Sequence, residues 1–82
     1  MLSKRIKYDR HAKNRMKWRR ISEEEVMSVI LEPDYRESTI KNRYNAFKKI
    51  SGRPLKVTYK EFEDEIYVIT AVVRTTNERI RQ

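Results

Sequence analysis

Two periodicities divide this chain: up to position 33 the apolar residues recur at helical spacing, and from Tyr35 onward they alternate with polar ones. The second helical segment is the better defined. Val26, Val29 and Ile30 make one apolar face, with Met27 at its edge. Ser22 followed by Glu25 has the spacing of a capping box, in which each side chain satisfies the other residue's backbone N–H. Ile21 and Val26 stand where a hydrophobic staple requires them, and Glu23 and Glu24 sit at the positive end of the helix dipole. Pro33 disfavours helical geometry at Glu32, so this helix ends there. A first helix is predicted over 10–20 with Asp9 as its N-cap. Its apolar side is small, Ala12 and Met16, with Trp18 on the opposite flank as an anchor for the helix. The segment 4–8 before it reads as a short strand or a basic arm.

Beyond the helices the alternation predicts strands at about 35–40, 44–50, 54–62 and 66–74, with turns near Asn42, Ser51-Gly52 and Glu63-Asp64. Leu55, Val57 and Tyr59 share one face of the third of these, while Lys56, Thr58 and Lys60 share the other, the pattern of a half-exposed antiparallel sheet. The run 66–73 is apolar on both faces and is therefore expected in the interior of the sheet. The polar segment 75–82 is expected to fray or to form a short terminal turn. The order of elements predicts one α+β domain, two N-terminal helices packed on a four-stranded antiparallel sheet.

A chain of 82 residues with 38% hydrophobic positions supports only a thin core, and no cysteine is present to reinforce it. Tight packing or a partner chain must help, so a homodimer is one expectation. The absence of cysteine fits a reducing cytoplasm, and no apolar run is long enough for a signal peptide or a membrane span; a soluble cytoplasmic protein is expected. Charge changes the picture more. The net charge is +8, and Lys4, Arg5, Lys7, Arg10, Lys13, Arg15, Lys17, Arg19 and Arg20 face only Asp9 in the first twenty residues. Such a density attracts polyanions, chiefly nucleic acid. The competing explanation is a solvated surface on a heat-tolerant protein, since 39% charged residues with one glycine and two prolines suits that selection too.

Within the basic segment His11, Arg15 and Arg19 recur every four residues and form one stripe of the first helix. His11 is the only histidine. An imidazole beside guanidiniums suits phosphodiester cleavage, with a proton carrier near neutral pH and forked donors for the phosphate oxygens. Lys13, Lys17, Trp18 and Arg20 on the helix, and Lys56, Lys60 and Arg74 on the sheet, are candidate RNA contacts, with Tyr59 as a further candidate acid. Each has a plainer role as well. His11 can pin the helix to the sheet through a backbone carbonyl, and Arg15 and Arg19 can pair with Glu23–Glu25 or with strand carboxylates. Tyr59 can be core, and Lys56 and Lys60 can guard a strand edge. A lone histidine without cysteine gives no zinc cluster of the usual kinds, and Gly52 alone makes no phosphate loop. Capping and dipole effects already account for Glu23-Glu24-Glu25, so neither metal nor cofactor is expected.

The run Tyr8-Asp-Arg-His11-Ala12-Lys-Asn-Arg15-Met16-Lys-Trp-Arg19-Arg20-Ile21-Ser22, then Glu25-Val26 and Pro33-Asp34, resembles a widespread prokaryotic family of small proteins of unknown function. Its members carry His-Ala-x-x-Arg-Met-x-x-Arg-Gly-Ile ahead of a Glu-rich second helix, and the family is distantly similar to the BrnT and RelE ribonuclease toxins. The family's usual glycine is replaced here by Arg20. BrnT-like chains carry an arginine just after the Ser-Ala of the last strand, whereas Ala71 is followed here by Val72, and the nearest arginine is Arg74. The resemblance implies a RelE/BrnT-like fold and a small toxin-like endoribonuclease or translation inhibitor, independent of metal. Its implied partners are RNA, free or ribosome-bound, and an acidic antitoxin protein. The alternatives are a non-catalytic nucleic-acid-binding module and a basic protein-interaction domain.

Overall fold

A computed structural model describes residues 4–74. The elements follow in the order β1 (Arg5–Tyr8), α1 (Arg10–Arg19), α2 (Glu23–Leu31), β2 (Tyr35–Ser38), β3 (Arg43–Ile50), β4 (Arg53–Glu61) and β5 (Glu65–Val73). All strands lie in one five-stranded sheet, ordered β1-β5-β4-β3-β2. The α+β class and both helices are as expected, and the sheet has one strand more than the alternation suggested. That strand is the segment read as a strand or arm. It pairs in parallel with β5, Ile6 opposite Ile66 and Tyr8 opposite Val68. β4 occupies one edge of β5, and β1 satisfies the backbone N–H and C=O groups along the other. The last element read from the sequence, 75–82, lies outside the described residues.

Each helix is tied at its ends by the residues that announced it. At the start of α1 the Asp9 carboxylate accepts from the His11 N–H at 3.2 Å and from the Tyr67 hydroxyl at 3.0 Å. In α2 the capping box is complete, with Glu25 N–H to Ser22 Oγ at 3.0 Å and Ser22 N–H to Glu25 Oε1 at 2.9 Å. Between the helices Arg20 adopts the left-handed conformation, φ 56°. The Arg20 N–H donates to the Lys17 carbonyl at 3.2 Å and the Ile21 N–H to the Met16 carbonyl at 2.8 Å. These are the two bonds of a Schellman ending, made here by an arginine where the geometry favours glycine.

The core lies between the helices and one face of the sheet. Ala12, Met16, Ile21, Val26, Val29 and Ile30 meet Ala46, Leu55, Val57, Tyr59, Ile66, Val68 and Ala71. Tyr59 is thus core, 1% exposed, with its hydroxyl accepting from Arg36 Nη1 at 3.4 Å. Ser51 and Gly52 both have positive φ and close the β3–β4 hairpin as a two-residue turn, which matches the right-handed twist of the strands. Trp18 corrects an expectation: it is 89% exposed and anchors nothing in the core. Two buried residues, Ala12 and Met16, already fill the narrow interface between α1 and the sheet, so the indole is left in solvent. Among the described residues no helix is long and apolar enough to cross a membrane.

Candidate functional site

Helical geometry sorts the basic residues of α1 into two flanks. With about 100° turned per residue, Trp18, His11 and Arg15 fall within about 60° of one another, on one side of the buried Ala12–Met16 line. Lys13 and Lys17 fall on the other side. The side-chain partners agree, for Lys13 pairs with Glu23 of α2 at 3.3 Å and lies over the Tyr8 ring at 5.8 Å. Lys13 therefore joins α1 to α2, and its charge is partly used there. Tyr8 is pushed above the usual tyrosine range, by burial first and then by the Glu23 carboxylate.

On the His11 flank, Asn14, Arg15 and Trp18 line a surface depression of about 250 Å³. Arg15 has no carboxylate within 4.0 Å among the described residues; of its expected partners, Glu23 pairs with Lys13 and Glu25 with Arg53. His11 is exposed and, among the described residues, its ring makes no hydrogen bond; only its backbone N–H does, to Asp9. The pinning of helix to sheet expected of His11 is done by Arg19, whose Nη1 donates to the Ala71 carbonyl at 3.3 Å. Arg19 thus sits at the base of the flank with part of its guanidinium committed to β5.

Asp9 links this flank to the sheet. Its carboxyl is held below the usual range, by the Tyr67 hydroxyl first, with the His11 N–H contributing, and Tyr67 is raised by the same bond. The phenol belongs to the sheet face that alternates with the buried Ile66 and Val68. Lys56 and Lys60 point to that same face, since they alternate with the buried Leu55, Val57 and Tyr59. The helices cover the other face. The expected contribution of Lys56 and Lys60 therefore belongs to a surface separate from that of His11 and Arg15. Arg74 lies over the ring of Phe47, a β3 residue of that bare face, at 5.0 Å. Arg20 is exposed at the turn after α1.

Arg53 is the residue that sequence reasoning missed. Its guanidinium donates to the Arg19 carbonyl at 3.3 Å, the Arg20 carbonyl at 3.1 Å and both Glu25 carboxylate oxygens at 3.0 Å. It thereby ties the end of α1, the start of α2 and the start of β4. The Glu25 carboxyl lies below its usual range through the Ser22 N–H first and then through Arg53. Nothing local marks Arg53, whose partners stand 28 to 34 positions away in the chain. Among the described residues no cluster of three His, Cys, Asp or Glu is placed to hold a metal ion.

Fold and surface together define a small α+β domain with one helical layer and one bare, basic sheet face. The chain belongs to the family DUF4258, a domain of unknown function, whose model matches residues 8–73. No curated protein and no solved structure gives a significant match.

Proposed function

We propose that this protein acts on RNA as a small, toxin-like, metal-independent endoribonuclease that inhibits translation and is held in check by an acidic antitoxin. The observation that carries this reading is the flank of α1 where an exposed histidine, an arginine without a carboxylate partner and an exposed tryptophan stand together. RNA cleavage without a metal needs a base for the ribose 2′-hydroxyl, an acid for the leaving 5′-oxygen and positive charge around the phosphorane-like transition state. His11 serves as the proton carrier, an imidazole being able to accept a proton at one ring nitrogen and to donate one from the other. Arg15 holds the scissile phosphate with its planar fork, and the N–H groups of Arg19 not directed at Ala71 add to it. Trp18 offers a ring on which an unpaired base stacks. The family that carries this helix motif is distantly similar to the BrnT and RelE toxins, which supports the same chemistry.

The test is to incubate the purified protein with long single-stranded RNA in EDTA and to look for 2′,3′-cyclic phosphate ends. Cleavage by the wild type that is lost in a folded His11→Ala protein supports the reading. A second reading, a non-catalytic RNA-binding module, is favoured by one observation: no group among the described residues holds the His11 ring in place, whereas catalytic bases usually have an orienting partner. RNA bound but never cut, on free RNA and on translating ribosomes alike, selects that second reading.

A further inference from the structure

We infer that the sheet face turned away from the helices is a platform for single-stranded RNA, with a row of cations along the phosphates and the exposed Tyr35 ring, set against Phe47, beneath a base. This deepens the RNA reading and rests on it. Alternation places Arg43, Asn45, Phe47 and Lys49 of β3 on this face, because Ala46 between them is buried in the core. Lys56 and Lys60 of β4, Tyr67 of β5, and Arg5 and Lys7 of β1 share it. The carboxylates on these strands that share the face are already engaged: Glu65 pairs with Lys7 at 3.5 Å, and Glu37 accepts from Asn45 at 3.0 Å. Among the described residues the side-chain cations of Arg5, Arg43, Lys49, Lys56 and Lys60 have no carboxylate within 4.0 Å.

Strand register sets these cations against one another. Arg43 stands directly opposite Lys60, Lys60 opposite Tyr67, and Tyr67 opposite Lys7. Like charges directly across a strand pair destabilise a sheet. A domain this small carries that cost in the middle of its sheet, where an anion would relieve it. Two buried side-chain polar atoms without a partner among the described residues, Arg43 Nε and Thr70 Oγ1, also lie on these strands. Polar satisfaction on this side of the sheet is therefore incomplete.

The surface chooses between kinds of RNA. Tyr35 is 60% exposed and its ring lies 5.6 Å from that of Phe47, so a stacking platform adjoins the cations. A duplex keeps its bases inside, whereas a single strand can turn them out onto aromatic rings. The row also leads somewhere. Tyr67 hydrogen-bonds Asp9, which in turn receives the His11 N–H, so a strand following Arg43, Lys60 and Tyr67 arrives at the beginning of α1.

The experiment measures binding of a fluorescent oligouridylate by anisotropy over a salt series, for the wild type, Lys56→Gln/Lys60→Gln and Tyr35→Ala. Neutralising the two lysines, each paired with one phosphate of a single strand, lowers the salt slope by about 1.4 and weakens binding about 25-fold at 0.1 M salt. Tyr35→Ala weakens binding about tenfold with the slope unchanged, as removal of one stacked base requires. The double lysine variant melts no lower than the wild type, because it relieves the Arg43–Lys60 repulsion; that separates weakened binding from failure to fold. If the wild type binds but both variants bind as tightly, with the wild-type slope, the platform is refuted and the RNA reading stands on α1. Equal affinity for a duplex of the same length refutes the choice of a single strand. If polyglutamate displaces the oligomer as well as unlabelled oligouridylate does, the face belongs to an acidic protein instead. No binding by the wild type at low salt overturns platform and RNA reading together.

Discussion

Replacing Arg53 should loosen the junction of both helices with the sheet, and its cost follows from the hydrogen bonds it makes. The guanidinium donates to two helix-end carbonyls and to both oxygens of Glu25, with side chains 34% and 24% exposed at the ion pair. A charge-assisted hydrogen bond contributes roughly 1.5–3 kcal/mol when sheltered, and a fully exposed ion pair contributes roughly 0–1 kcal/mol. At this intermediate exposure Arg53→Ala should cost about 2 kcal/mol, or roughly 8–16 °C in melting temperature for a domain of this size. Arg53→Lys keeps the charge but not the fork and should recover only part of the loss. A double-mutant cycle with Glu25→Gln isolates the ionic part, since the amide oxygen still accepts from the Ser22 N–H. The sign of the pH dependence follows from Glu25. Its carboxyl is depressed in the folded protein, so its contribution is complete above the ordinary carboxylate range and is lost as pH falls through the folded value. The gap between wild type and Arg53→Ala should accordingly narrow on acidification from about pH 5 towards pH 2. Thermal denaturation followed by circular dichroism measures all of this. A gap that stays constant over that range, or a cycle with no coupling, would refute the account of the junction.

Three further outcomes are expected. Arg20→Gly should stabilise by about 0.5–1 kcal/mol, the left-handed cost of a side chain less the extra entropy glycine loses; an unchanged denaturation midpoint speaks against strain at that turn. Ser22→Ala should cost about 1 kcal/mol through removal of the cap while leaving RNA affinity nearly unchanged, which denaturation and anisotropy check side by side. His11→Ala should lower RNA cleavage by roughly 10²–10⁴-fold with folding and RNA affinity retained, and Arg15→Lys should also lose activity; a folded His11→Ala protein that cleaves at the wild-type rate removes His11 from the chemistry.

What could be read from the chain follows the range of the forces involved. The caps, the staple and the Ser51-Gly52 hairpin depend on residues within a few positions of each other, and all were legible. The edge strand was half legible: Ile6 and Tyr8 alternate as a strand does, but the partner that decides the matter, β5, lies about sixty positions on. Trp18 misled because large apolar side chains are usually covered, and its exposure depends on how narrow the α1 interface is. The His11–Arg15 flank was legible from helical spacing alone. The separation of Lys56 and Lys60 from it was not, since alternation says that these lysines share a face without saying which face the helices take. Arg53 and the Arg43–Lys60 register are long-range facts with no local signature.

The pattern of paired and unpaired charge bears on why the chain is so basic. Ion pairs that hold the scaffold are present at its joints: Lys4–Glu61 and Lys7–Glu65 fasten β1, Lys13–Glu23 joins the helices, and Arg53–Glu25 locks the junction. Selection for heat tolerance favours such networks and gives no reason to set two cations opposite each other in a sheet. Among the described residues Arg5, Arg43, Lys49, Lys56 and Lys60 on the bare sheet face and Arg15 on the His11 flank make no ion pair, nor do Arg10, Lys17, Arg20 and Lys41 elsewhere on the surface, and such cations attract a polyanion. The two groups should therefore respond oppositely to neutralisation, paired residues losing stability and unpaired ones losing affinity. A basic surface kept only for solubility predicts no loss of RNA affinity on neutralising either group, and that result would refute the division.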